Sequence, residues 1–417
     1  MKRKSLLIII GSILAVLLVM VGGSAFLIYR ALKPILSHRR PTPPELVEPR
    51  IITGAGFLTR SQFAQISEAG VAVVDPDFIG TIEEMRVGEF DPHPGIDIVL
   101  AGGAGSLVLD RTGQKQASVK YDFGLKQVKL GPFSSSVPRL SVGEMKIIDI
   151  EGDGVCEYLG NGGSDLAVVF NHRGERLWSL PWSNDRSRSF EEMTAGDLNG
   201  DGVAEFVAGG NGIEVFDRDG KRLWQQPLEF GPSQLAVVDV DGDGKNEIVS
   251  AGAEITIRDA AGKELRSVEV EGYLGTISLC SRPGQKIPSL LDVEEGYISL
   301  IDFDGKTVSI FGAPLTEFHD PHEDFEGMGL TNTSVYRAKA VWVKLQADKP
   351  EYLAVVTEFA VLDRSVLYVY SAAGELVYQE VLPERSTSLA VLPAEDSNAP
   401  GGLLVAGSNT LWRYVAK

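Results

Sequence analysis

Asp197-Leu198-Asn199-Gly200-Asp201-Gly202-Val203-Ala204-Glu205 is a loop that this chain uses three times. The other copies are Asp149-Ile150-Glu151-Gly152-Asp153-Gly154-Val155-Cys156-Glu157 and Asp239-Val240-Asp241-Gly242-Asp243-Gly244-Lys245-Asn246-Glu247. In each copy, oxygen-bearing side chains stand at the first, third, fifth and ninth positions. Glycines at the fourth and sixth let the backbone curl around a point. Asp-Gly pairs also make good hairpin turns by themselves. A turn needs only one such pair, however, whereas these loops repeat alternate carboxylates and a fixed glutamate. The pattern suits a hard cation, since calcium takes six to eight oxygen ligands at about 2.3–2.6 Å. The expected side-chain ligands are Asp149, Glu151, Asp153 and Glu157, then Asp197, Asn199, Asp201 and Glu205, then Asp239, Asp241, Asp243 and Glu247. That makes about three calcium sites. Val155, Val203 and Lys245 would each add a backbone carbonyl, which leaves their side chains free to vary.

Working outward, each loop follows one short apolar run and precedes another, and a glycine turn, an alternating strand and a second hairpin come next. The second hairpins run Phe170 to Trp178, Phe216 to Trp224 and Arg258 to Leu265. Four short strands recurring every 40 to 60 residues or so predict a β-propeller. A weaker copy begins at Glu89-Phe90-Asp91-Pro92-His93, with Asp97 closing its loop and a hairpin at Asp110 to Gly113. Others run from Ile277 to Lys306, from Ala340 to Tyr378, and from Leu389 to Tyr414. The count is seven blades of four strands. His93 replaces the central carboxylate of the first loop, which keeps Glu89, Asp91 and Asp97 and is expected to bind poorly; Cys280, Val343 and Ala394 stand at the first ligand position of the last three, where no metal is expected. The last copy lacks an outer strand, and the apolar run Val71–Val74 is the expected strand that closes the ring and removes the exposed edge.

With those loops in view, the chain resembles the FG-GAP and VCBS repeat family, whose relatives include the propellers at the head of integrin α chains. The resemblance is strong over 145–270 and weaker over the rest of 71–417. It implies that the loops join the inner two strands of a blade, hold calcium on one face of the disc and use the ligands named above. The phrases Asn171-His172-Arg173-Gly174-Glu175-Arg176-Leu177-Trp178 and Asp217-Arg218-Asp219-Gly220-Lys221-Arg222-Leu223-Trp224 also look like the tryptophan-docking hairpins of quinoprotein-like propellers. Only two hairpins carry Trp, and the complete dehydrogenase motif is absent. The plainer reading is an aromatic packed between neighbouring blades.

Composition fits one large β domain with an anchor. The 417 residues are 44% hydrophobic and include 46 glycines, enough for a core with many tight turns. A formal charge of −18 would repel nucleic-acid phosphates. Cys156 and Cys280 fall in blades nearly opposite one another, which predicts separate thiols. After the basic residues 1–4, the stretch 5–29 carries no charged residue, and about 25 residues at roughly 1.5 Å each would cross a hydrocarbon core. It reads as a signal anchor. Cleavage near Gly23-Ser24-Ala25 is the alternative. Residues 30–50, with Pro41, Pro43, Pro44 and Pro49, form a semi-rigid linker to a propeller over 51–417. Basic residues flank the span on both sides, so charge alone does not orient it. Weak calcium loops fill at the calcium levels outside cells, which places the propeller outside the cytoplasm, periplasmic or at the cell surface.

Long insertions in propeller loops are where binding usually resides. Two stand out, Lys120 to Leu140 and Gly312 to Tyr336, both expected on the face opposite the calcium loops. The second holds His319, His322 and Phe325 among four carboxylates and is either solvated or a transition-metal site. A third loop brings Trp182 together with Arg186 and Arg188, side chains of the kind that anchor interfaces. Asn332-Thr333-Ser334 is a formal glycosylation sequon. No nucleophile elbow, phosphate-cradling loop or His-Glu-x-x-His motif occurs. The sequence therefore predicts a membrane-anchored, calcium-binding, non-enzymatic module for a protein or glycan ligand. The alternative is a quinoprotein-like or polysaccharide-lyase-like enzyme with a site in the central funnel. Ionisable side chains converging there, rather than an apolar plug, would favour the enzyme.

Overall fold

The structure is a computed structural model. It describes residues 49–66, 82–90, 95–123, 125–130, 133–138, 144–161, 165–181, 190–228, 234–252, 254–269, 278–294, 296–314, 335–359, 364–394 and 400–417. Every regular element among them is a β-strand, and the strands fall into seven antiparallel sheets of four or five plus one separate hairpin. The sheets are the blades of a propeller. Blades 1 to 5 are each continuous in sequence, over 82–120, 144–181, 190–227, 234–269 and 278–313. Blade 6 covers 335–381 and blade 7 covers 386–416.

The burial pattern explains the geometry. The second strand of a blade is buried along its whole length in Glu205–Gly210, Tyr352–Phe359 and Gly402–Gly407. Such strands are apolar on both faces because each blade is sandwiched between two others. The outer strands Arg222–Pro227 and Glu264–Glu269 instead alternate between half-buried and exposed positions. Buried side chains gather into seven clusters, one at each interface between neighbouring blades. The ring is thus held mainly by side-chain packing between blades, while the strand-to-strand ladders stay within them.

Closure corrects the sequence reading. The strand that completes blade 7 is Leu58–Gln65, antiparallel to Thr410–Ala416 with Leu58 opposite Ala416 and Gln65 opposite Thr410. Val71–Val74 lies outside the described residues and is not that strand. A second strand, Arg50–Thr53, adds a fifth member to blade 6 by pairing with Leu376–Val381. The expected membrane span over 5–29 and most of its linker also lie outside the described residues. Among those described, no helix is long and apolar enough to cross a membrane. Cys156 and Cys280 are separate buried thiols, as expected; burial pushes each up to about 12.

Candidate functional site

The three acidic loops each join the first two strands of a blade, in blades 2, 3 and 4. Their backbones follow one template. Both glycines of each loop adopt left-handed φ, from 65° at Gly152 to 89° at Gly244, a conformation that a Cβ disfavours. The first aspartate then caps the loop from inside. Asp239 accepts from the Gly242 and Gly244 amides at 2.6 and 2.9 Å, and Asp197 accepts from Gly200 and Gly202 at 2.7 and 2.8 Å. Asp149 accepts from Gly154 at 2.9 Å. The fifth residue accepts from the seventh residue's amide in all three, at 2.8 to 2.9 Å.

The closing glutamates are the buried members. Glu157, Glu205 and Glu247 are 6 to 7% exposed. Each takes an amide from the second loop residue: Ile150 at 3.0 Å, Leu198 at 2.9 Å and Val240 at 3.1 Å. Burial, reinforced by the neighbouring aspartates, pushes Glu157 up to about 7 and raises Glu205 and Glu247. Burial raises Asp239 as well, but the loop amides outweigh it and hold that carboxyl below its ordinary value. Each loop therefore concentrates negative charge that its own amides only partly offset.

The fit to a cation differs between the loops. In blade 4, oxygens of Asp239, Asp241 and Glu247 lie within 4.8 Å of one another, while Asp243 reaches Lys245 Nζ at 3.4 Å. In blade 3, the Asn199 amide donates to Glu205 Oε1 at 2.7 Å. In blade 2, Glu151 takes Arg218 of blade 3 at 2.6 Å. The twelve expected ligands thus occupy three similar loops, and three carboxylates converge in one. The loops are also stitched together. Ala204 N donates to Ile150 O at 2.7 Å, and Asn246 Nδ2 donates to Asp197 O at 2.8 Å.

The hairpin aromatics do what the plainer reading expected. Trp178 lies against Gly220 of the next blade, where a Cβ would come within 2.7 Å of the indole. Trp224 lies against Gly262 and donates from Nε1 to Ala260 O at 2.9 Å. These contacts join neighbouring blades. The ligand-face candidates Trp182, Arg186, Arg188, His319, His322 and Phe325 all lie outside the described residues. So do Asp91 and His93. Of the first insertion, the structure shows a hairpin pairing Leu125–Leu130 with Phe133–Pro138.

The sequence offered the central funnel as the site of the enzymatic alternative but did not identify the residues that line it. This channel encloses about 370 Å³, and its charged lining comes from the inner strands of blades 1, 2, 3 and 6. Arg337 of blade 6 pairs with Glu83 of blade 1 at 2.6 Å and with Glu144 of blade 2. Lys146 of blade 2 pairs with Glu192 of blade 3, and Lys339 donates to the Glu83 carbonyl at 3.3 Å. Glu84 pairs with Arg86 at 3.2 Å and accepts from the Ile147 amide at 2.7 Å. Burial raises Glu83 and Glu192 against the pull of Arg337 and Lys146, and it lowers Lys339. Blades 4 and 5 contribute Gln234, Leu235, Ala236, Ser278 and Leu279, so the opposite wall is neutral. The funnel therefore holds convergent ionisable groups, the arrangement expected of the enzymatic alternative. Seven of the eight charges are joined in ion pairs between blades or within blade 1, and the eighth, Lys339, donates to a carbonyl.

The fold and these loops define a seven-bladed all-β propeller. No protein-family model matches the sequence, and no curated protein matches it. Among solved structures, the chain is similar to BBS1N in complex with ARL6DN, in a crystal soaked with lead: TM-score 0.53, 13% identity, covering 87% of this chain and 97% of that one. A mercury-soaked crystal of the same complex gives 0.51 and 11%, covering 89% and 98%. The WD40 domain of Neurospora crassa Pan2 gives 0.48 and 10%, covering 86% and 95%. At these identities the likeness concerns the fold.

Proposed function

We propose that this protein is a membrane-anchored, calcium-stabilised propeller of the FG-GAP/VCBS type that serves, without catalysis, as a recognition scaffold for a protein or glycan outside the cytoplasm. The observation that carries the calcium reading is the convergence of Asp239, Asp241 and Glu247 around a loop with two left-handed glycines. Calcium would supply the positive charge that these loops lack. In blades 2 and 3, Glu151 and Asn199 would turn from their present partners to the ion. BBS1N, a propeller of similar fold, is found in complex with another protein, which supports a protein partner here.

The enzymatic reading is favoured by one feature, the charged channel. Three of its four ion pairs run from blade to blade and act as struts, which favours the scaffold. On this reading the partner binds the face expected to carry the insertions, with Trp182, Arg186, Arg188, His319, His322 and Phe325 as the candidate contacts. The test is partner recovery by cross-linking, comparing the full chain with a variant in which 125–138 and 315–334 are replaced by short turns. Loss of the cross-linked species with an unchanged melting temperature is expected. Unchanged cross-linking would remove the recognition face from the account.

A further inference from the structure

The chain covers one blade edge with a strand of its own, and that arrangement shows what the neighbouring edge would accept. In blade 6, the outer strand Leu376–Val381 lies beneath Arg50–Thr53, with Thr53 opposite Gln379 and Ile51 opposite Glu380. Counting from the hairpin glycine Gly374, Val377 stands third and Gln379 fifth. Gln379 is 2% exposed, and Val377 packs into the cluster between blades 6 and 7.

Blade 5 has the same hairpin at Gly305, and its third and fifth residues are Val308 and Ile310. They are 54% and 64% exposed. Their strand, Thr307–Ala313, ends its sheet, and no strand among the described residues pairs with its outer edge. Blades 2 to 4 also place an apolar residue third, at Leu177, Leu223 and Leu265, each about half exposed. Their outer strands carry the features that discourage edge pairing: Arg176–Pro181 and Arg222–Pro227 end in proline, and Glu264–Glu269 has a glutamate at each end. Lys115–Lys120 of blade 1 has a lysine at each end. Thr307–Ala313 contains neither charge nor proline.

We infer that the outer edge of blade 5, Thr307–Ala313, is a strand-addition site for a short extended apolar segment of a partner protein. Main-chain hydrogen bonds would hold the segment, and side chains lying over Val308 and Ile310 would select it. The occupant is a partner segment and not a second copy, because two bodies each carrying a formal charge of −18 repel. The inference shares with the proposed function only the premise of a protein partner. It concerns the rim, so deleting the face insertions leaves it to stand or fall separately.

The probe is a labelled peptide of residues 49–55, the chain's own edge strand, added to the full chain. Hydrogen exchange locates it and fluorescence anisotropy gives its affinity. Protection is expected over 307–313 and not over 264–269. The Val308→Lys/Ile310→Lys variant, both positions being exposed, should weaken binding at least tenfold, whereas Leu265→Lys should leave it unchanged. Any of three results overturns the inference: no peptide-dependent protection, protection that persists in the double variant, or amides of 307–313 already as slow as those of 376–381 in the free chain. A free chain twice the mass of the double variant also overturns it, because a second copy then occupies the edge.

Discussion

Glu157 shows what a single loop residue does. It is buried beside Asp149, Glu151 and Asp153 and holds its proton up to about pH 7, whereas an ordinary glutamate loses it near 4.5. Between these values the folded chain binds more protons at this site than the unfolded chain, so without calcium this group's contribution to stability falls as pH rises from about 4.5 to 7 and is level above. A cation reverses the slope, because it takes the ionised form and expels the proton. The expected outcome is a melting temperature whose calcium-dependent rise grows from pH 5 to pH 7 and then levels off. Glu157→Gln should flatten this site's share of the dependence. A calcium effect of equal size at pH 5 and pH 7 would contradict the assignment of Glu157 as a ligand. The loop residues were legible in the sequence because alternate carboxylates and paired glycines serve local geometry. The engagement of Glu151 by Arg218 was not, since it joins residues of different blades.

Among the elements, the closing strand teaches most. Sequence reading sought it in Val71–Val74 because a run of β-branched apolar residues looks like a strand buried on both faces. An outer strand is buried on part of one face only. Leu58–Gln65 accordingly reads Leu-Thr-Arg-Ser-Gln-Phe-Ala-Gln, with Leu58 and Ala64 buried and, between them, four polar residues and the half-buried Phe63. Arg60 of this strand pairs with Glu380 of blade 6, a carboxylate 2% exposed that also accepts from Tyr378 Oη at 2.7 Å. The clasp therefore spans two blades. Arg60→Met leaves a buried carboxylate without its cation and should cost roughly 2–4 kcal/mol, less than a fully buried pair because Arg60 is partly exposed. Adding Glu380→Gln should restore much of the loss. Urea unfolding of the two variants measures this, and equal instability of the single and double variants would show that the pair is not what holds the strand.

For the molecule as a whole, seven blades were legible because each blade repeats the same strand and hairpin chemistry, so even the weak copies in blades 1, 5, 6 and 7 fell into register with the strong ones. The charged lining of the channel was not legible. Glu83, Glu144, Glu192 and Arg337 lie as much as 254 residues apart, and each reads locally as a polar residue on a half-exposed inner strand. Only ring closure brings them together, and there they tie blade 6 to blades 1 and 2, past blade 7. The central claim concerns calcium and is tested most directly by thermal unfolding of the full chain in millimolar calcium and in chelator, beside an Asp149→Ala/Asp197→Ala/Asp239→Ala variant. Occupancy at a hundred times the dissociation constant stabilises by about 2.7 kcal/mol per site, so the account predicts a rise of several degrees that the variant loses. Identical melting of the wild type in calcium and in chelator would contradict it and reduce the three loops to turns.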